Sequence, residues 1–191
     1  MSNKAVFFDR DGVLNVDKNY ISLINSVEFY DGAADIIAYC TNLGYRTFIV
    51  TNQPIVARGI ISEEELIKFN LDYRNLLLKQ NCRAEIDEIF YCPHHPDANV
   101  KKYRQLCDCR KPKPGMIIKA IEKYNIDSSK SFMVGDRISD IIAGFLAGCK
   151  TVQYKSGKHL EPMIRTDLNI PENIQPDYVI NQISDLKDII L

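Results

Sequence analysis

No apolar run in these 191 residues approaches the ~20 needed to cross a bilayer. The N-terminal Ala5-Val6-Phe7-Phe8 stretch is too short for a secretory leader and lacks a small-residue cleavage site. Charge of one sign is also missing. Twenty-four basic residues face 25 acidic ones, for a net charge of −1, which argues against nucleic acid and anionic membranes as partners. Internal repeats and low-complexity tracts are absent as well. The chain is expected to be a cytoplasmic protein with one domain over residues 1–191, to act on a small molecule and to work as a monomer.

The apolar residues fall into short continuous runs at 5–8, 46–50, 86–91, 131–134, 151–154 and 178–180. Such runs suit strands buried on both faces of a parallel sheet. Helical patterns lie between them. Ala33, Ile36, Ile37, Cys40 and Leu43 repeat at helical spacing before Gly44. Ser62 and Glu65 form a capping box for a helix burying Leu66, Phe69, Tyr73, Leu76 and Leu77. Pro114 opens a helix with Ile117, Ala120, Ile121 and Tyr124 inward, and residues 137–148 and 182–190 give two more. The alternation predicts an α/β fold: a three-layer, doubly wound, mostly parallel sheet without a large cap domain. Residues 12–30 and 92–113 break it, as a small flap and an irregular loop.

Chemistry gathers where the strands end. Asp9 and Asp11, two residues apart after the first strand, are expected to converge while Arg10 points elsewhere. Thr51-Asn52 ends the second strand, and Gly135-Asp136, with Asp140 one turn onward, ends the fourth. Carboxyl ends of strands line the ligand crevice of doubly wound sheets. The 92–113 loop adds Lys111. It also carries Cys92-Pro93-His94-His95 and Cys107-Asp108-Cys109. Paired C-x-H and C-x-C half-sites supply four ligands for a closed, structural zinc site, with either histidine available. Cys40, Cys82 and Cys149 are expected to be buried thiols, and His159 a surface residue.

Asp9-Arg10-Asp11-Gly12, Thr51-Asn52, Lys111 and Gly135-Asp136 together resemble the haloacid dehalogenase (HAD) superfamily of phosphohydrolases. The resemblance implies Asp9 as nucleophile and Asp11 as proton donor and acceptor. It implies Thr51 and Lys111 on the phosphoryl oxygens, and Mg²⁺ on Asp9, the Asp11 carbonyl and Asp136. As an acid Asp11 needs a raised pKa, expected here from burial and its neighbouring carboxylate.

The cysteine–histidine loop, with twelve residues between His94 and Cys107, looks like that of D-glycero-D-manno-heptose 1,7-bisphosphate 7-phosphatases. That likeness implies zinc on Cys92, His94, Cys107 and Cys109. It implies substrate contacts at Asp17, Lys18, Asn19, Tyr20, Asn52, Gln53, Arg110 and Arg137, and a phosphorylated sugar as substrate. Histidinol-phosphate phosphatases share these motifs but have a shorter gap. Pro54-Ile55 departs from the family's usual x-Gly pair and predicts a stiffer loop. A silent binding module would have lost Asp9, Asp11, Lys111 or Asp136. A zinc-ribbon nucleic-acid binder would need aromatics interleaved among its cations, and Tyr103 stands alone in that role.

Overall fold

A computed structural model of the chain describes residues 3–157 and 174–191. Six strands form one sheet: β1 (Lys4–Phe8), β2 (Tyr45–Asn52), β3 (Glu88–Cys92), β4 (Phe132–Gly135), β5 (Lys150–Tyr154) and β6 (Tyr178–Ile180). Their order is β3-β2-β1-β4-β5-β6 and each neighbouring pair is parallel. Among the described residues four α-helices lie between them: α1 (Ala33–Asn42), α2 (Glu63–Gln80), α3 (Gly115–Tyr124) and α4 (Ile138–Leu146).

Strand alternation sorts β1 between two cores. Val6 and Phe8 face α1 and α2, whereas Ala5 and Phe7 face the layer containing Met116, Ile117 and Ala143. Both faces are thus covered, as continuous apolar strands require. Strand order reverses at β1, between β2 and β4, so the crevice opens at the end of β1. There the Asp9 N–H donates to the Val134 carbonyl at 2.9 Å, tying the start of the turn to β4.

The capping box at Ser62 and Glu65 is present, with reciprocal bonds of 3.1 and 2.7 Å, and α2 follows it. Three expectations need correction. Residues 183–188 form a 3-10 helix rather than an α-helix: Ile183 and Leu186 are buried three apart, a spacing that tighter winding also satisfies. Cys82 is exposed, because α2 has ended two residues before it. Leu76 is half-buried, at the margin of the α2 inner face. His159 lies outside the described residues. No helix among the described residues is long and apolar enough to cross a membrane.

Two irregular segments flank the crevice. Residues 12–30 fold back on themselves, with Val16 N–H on the Glu28 carbonyl and Tyr30 N–H on the Leu14 carbonyl. The 92–113 loop sits over a small apolar cluster of Ile55, Val56, Ala57, Leu66, Ala98 and Tyr103. Ile55 is 1% exposed, so the Pro54-Ile55 departure supplies an apolar plug beneath this loop. Glu63, at the start of α2, accepts hydrogen bonds from the hydroxyls of Tyr91 (3.2 Å) and Tyr103 (2.8 Å). That clasp ties the far side of the loop to a helix.

Candidate active site

A cavity of about 860 Å³ opens at the carboxyl ends of β1 and β2, a volume suited to a small-molecule ligand. Asp9, Asp11, Asp17, Asn19, Tyr20 and Thr51 line it, joined by Asn52, Gln53, Arg110, Lys111 and Arg137. Of the expected substrate contacts, Lys18 lies outside this lining and pairs with Glu28 at 2.8 Å.

Lys111 is the electrostatic centre. Its ammonium reaches Asp9 Oδ1 at 2.8 Å, Asp140 Oδ1 at 2.7 Å and the Val50 carbonyl at 2.8 Å. Two carboxylates and a carbonyl therefore surround the ammonium. Burial works against the charge, but Asp140 and Asp9 outweigh it and raise the lysine pKa. Asn52 fixes the backbone here, accepting from the Lys111 N–H (3.0 Å) and donating to the Lys111 carbonyl (3.1 Å).

Asp9, Asp136 and Asp140 offer oxygens within 4.8 Å of one another. Burial, partly countered by Lys111, pushes the Asp9 pKa up to about 7. Burial and the charges of Asp140 and Asp9 push Asp136 to about 8. Ser156 donates to Asp136 Oδ2 at 2.9 Å, whereas Oδ1 is buried without a hydrogen-bond partner among the described residues. A Cβ on Gly12 (φ +90°) would lie 2.1 Å from Asp136 Oδ2, so glycine alone permits this approach. Three hard-oxygen donors, with Oδ1 of Asp136 and Oδ1 of Asp140 both lacking a hydrogen bond among the described residues, against a single ammonium fit a divalent cation such as Mg²⁺. Asp140 stands in this cluster, and the Asp11 side chain does not.

Asp11 faces another way. Its Oδ1 accepts from Arg10 Nε (3.2 Å) and Asn15 Nδ2 (2.9 Å), and its Oδ2 from Arg10 Nη2 (2.8 Å) and Gln53 Nε2 (2.8 Å). Burial raises its pKa, but the Arg10 charge and these hydrogen bonds prevail, and the net shift is downward. This overturns the expected rise, and Arg10, expected to point away, is the cause. Its guanidinium is buried over the Phe69 ring at 5.0 Å. Gln53 Nε2 also donates to Thr51 Oγ1 at 2.9 Å, joining Asp11 to the hydroxyl at the end of β2.

Cys92, His94, Cys107 and Cys109 converge beside the cavity. Sulfur separations of 3.1, 3.2 and 3.5 Å far exceed a disulfide bond, and His94 Nδ1 lies 3.4 Å from Cys109 Sγ. Hydrogen bonding with Cys92, Cys107 and His94 pulls the Cys109 pKa down to about 5, despite burial. Four N/S donors at these distances fit a tetrahedral metal. His95 points elsewhere: its Nδ1 accepts from the Asp97 N–H at 3.0 Å, and it lines the cavity. Burial, Arg110 and Arg58 lower its pKa. Sequence reasoning had placed Asp140 at this sheet edge without assigning it a role, and had assigned none to Arg10, Arg58 or Ser156. For Asp140 a signal existed, since a carboxylate one turn into α4 comes back to the same sheet edge.

A model of HAD-hydrolase-like proteins matches residues 108–186. The D-glycero-β-D-manno-heptose-1,7-bisphosphate 7-phosphatase of Pasteurella multocida (strain Pm70) is 39% identical over 188 residues, 98% of this chain and 96% of that one. The protein of the same name from Escherichia coli (strain K12) is 37% identical over 187 residues, 97% of this chain and 93% of that one. The crystal structure of D,D-heptose 1,7-bisphosphate phosphatase from B. bronchiseptica, complexed with magnesium and phosphate, is similar with a TM-score of 0.78. Identity there is 26%, and 97% of both chains is covered.

Proposed function

Because the chain belongs to the D-glycero-β-D-manno-heptose-1,7-bisphosphate 7-phosphatase family of HAD-like hydrolases, we propose that it removes the C7 phosphate of that sugar through an aspartyl-phosphate on Asp9. The observation that carries this reading is Lys111, held between Asp9 and Asp140 at the mouth of the zinc loop. A nucleophile and a charge-neutralising ammonium already in contact are what a phosphoryl transfer needs from its protein.

Asp9 Oδ1 accepts from the Arg10 N–H at 2.8 Å and from Lys111, so Oδ2 is the oxygen assigned to attack phosphorus. The P–O7 bond breaks as the Oδ2–P bond forms, and Asp11 passes a proton to the departing sugar oxygen. In the second half, Asp11 takes a proton from water. The water oxygen then bonds phosphorus as the Asp9–phosphorus bond breaks. Thr51 Oγ1 and Lys111 Nζ hold the equatorial oxygens throughout. Mg²⁺ on Asp9, Asp136 and Asp140, with the Asp11 carbonyl, would offset charge on the transferring group.

With four donors on its carboxylate, Asp11 is arranged as a base, and it must shed one of them to act as an acid. Gln53 is the donor assigned to leave. It is shared with Thr51, so phosphate arriving at that hydroxyl competes for the same amide. Zinc on Cys92, His94, Cys107 and Cys109 would hold Arg110 and Lys111 in place, where a displacement of about an ångström costs ~10²-fold. Asp17, Asn19, Tyr20, Asn52, Gln53, Arg110 and Arg137 contact the sugar in this reading. Residues 1–191 act as one monomeric unit in the cytoplasm, whose reducing conditions suit six cysteines that form no disulfide.

Phosphate release from the heptose bisphosphate and from histidinol phosphate, each with Mg²⁺, tests the reading. Faster turnover of histidinol phosphate overturns the substrate. Asp9→Asn should abolish turnover, and retained activity overturns the nucleophile.

A further inference from the structure

Behind the cavity wall, helix α2 presents Phe69 and Tyr73 four residues apart on its buried face. Tyr73 is 0% exposed and is not part of the cavity lining. Its hydroxyl nonetheless reaches the turn that carries Asp11, donating to Asn15 Oδ1 at 2.8 Å. Burial pushes the phenol well above its ordinary range, so the group stays protonated and stays a donor. A donor on Oδ1 settles which end of the Asn15 amide faces Asp11. Nδ2 then donates to Asp11 Oδ1 at 2.9 Å and to the Val16 carbonyl at 3.0 Å. The backbone of Asn15 is pinned to the same turn. Its carbonyl accepts the Gly12 N–H at 2.7 Å, and its N–H donates to the Arg10 carbonyl at 3.2 Å.

The same tyrosine supports the other neighbour of Asp11. The Arg10 guanidinium lies 5.0 Å from the Phe69 ring centre and 5.7 Å from that of Tyr73. Its Nη1 is buried without a hydrogen-bond partner among the described residues, so the aromatic faces and Asp11 locate the group. From there Nε donates to Asp11 Oδ1 at 3.2 Å and Nη2 to Oδ2 at 2.8 Å. Arg10 thus spans the carboxylate. Asn15 bonds to Oδ1, whereas Gln53 bonds to Oδ2 and is shared with Thr51. The Oδ1 side is moored to α2, and the Oδ2 side faces the reacting groups.

We infer that Tyr73 is a positioning residue: through Asn15 and Arg10 it holds Oδ1 of Asp11 still, so that Oδ2 delivers the proton to the departing sugar oxygen once Gln53 lets go. The inference rests on the acid–base role proposed above for Asp11 and extends it to a helix residue outside the cavity. Placement of that oxygen matters most for a poor leaving group. A sugar alkoxide needs its proton as the P–O7 bond breaks, whereas p-nitrophenolate departs as the anion.

The test reads the first half-reaction with enzyme in excess and Mg²⁺ saturating. It follows dephosphorylated sugar from D-glycero-β-D-manno-heptose 1,7-bisphosphate and nitrophenolate from p-nitrophenyl phosphate. Tyr73→Phe keeps the ring and removes the hydroxyl. Its limiting rate on the sugar should fall about 10-fold with half-saturation unchanged, because a displaced proton donor costs rate rather than affinity. Nitrophenolate release should stay within about twofold of wild type. Asn15→Ser, too short to bridge Tyr73 and Asp11, should give the same split and decides the matter if the phenylalanine variant melts early. In an Asp11→Asn background, Tyr73→Phe should deepen the loss on the sugar by less than about twofold. Equal slowing on both substrates, an unchanged sugar rate, or the same fractional loss in the Asp11→Asn background overturns the inference and leaves the phosphatase reading standing. If Asp11→Asn by itself leaves sugar release intact, the acid assignment falls and the role of Tyr73 falls with it.

Discussion

Asp140→Asn separates two effects of one buried carboxylate. Asp140 is 1% exposed; Oδ1 meets Lys111 at 2.7 Å and Oδ2 accepts the Arg137 N–H at 3.0 Å. Asparagine keeps a single acceptor, so one of these donors then faces an NH₂ group. Breaking a buried pair outright costs ~3–5 kcal/mol. Lys111 retains Asp9 and the Val50 carbonyl, which reduces the loss to about 1–3 kcal/mol. Against this, the substitution removes one of the charges that raise the pKa of Asp136 and Asp9. Without metal the two terms nearly cancel, and Tm should move by less than about 4 °C.

With metal nothing offsets the lost charge. The half-saturating Mg²⁺ concentration should rise ~10- to 100-fold. The gain in Tm on adding Mg²⁺ should shrink correspondingly. Magnesium titrations of phosphate release, with melts at matched concentrations, give both numbers. A variant whose half-saturation stays within about threefold of wild type refutes the reasoning, since Asp140 would then serve the lysine alone.

A second prediction concerns pH. In the proposed mechanism Asp9 attacks only when ionised, and burial raises its pKa to about 7 while no metal occupies its oxygens. Activity at limiting Mg²⁺ should therefore fall as pH drops through about 7, and saturating Mg²⁺ should move that limb to lower pH. Rate profiles at two magnesium concentrations check the sign, and a limb that stays put or moves upward contradicts it. Third, Cys107→Ser should lower zinc content, Tm and activity together, because a structural metal contributes folding free energy. Metal analysis beside turnover decides the matter, and a zinc-free variant with full activity removes the clamp.

Much of this was legible because parallel strands buried on both faces print as unbroken apolar runs, and because cysteine and histidine half-sites have few other uses in such a chain. The illegible parts have physical causes. Alternation along a strand sent Arg10 away from Asp11, but β1 ends at Phe8. The Arg10 carbonyl then receives the N–H groups of Leu14 (2.9 Å) and Asn15 (3.2 Å), so a turn sets the geometry instead. The pKa of Asp11 followed that turn rather than its position in the motif. Asp140 sits on a helix four residues beyond Asp136, and its bond to Lys111 joins segments 29 residues apart. Only the closed sheet brings them together. At the C-terminus, a three-residue apolar interval does not discriminate between helix types.

The clasp of Glu63 on Tyr91 and Tyr103 gives the cysteine-bearing loop a second mooring that owes nothing to metal. A span secured at two banks can be rebuilt from one bank at a time. Descendants could replace the sulfur ligands by ordinary packing while residues 95–103 keep their seat, or redraw that seat to suit a new sugar while the sulfur end still steadies Lys111. In the proposed reading the cavity-lining and lysine-bearing ends of one segment are thus held separately, and drift in one need not be matched by repair in the other.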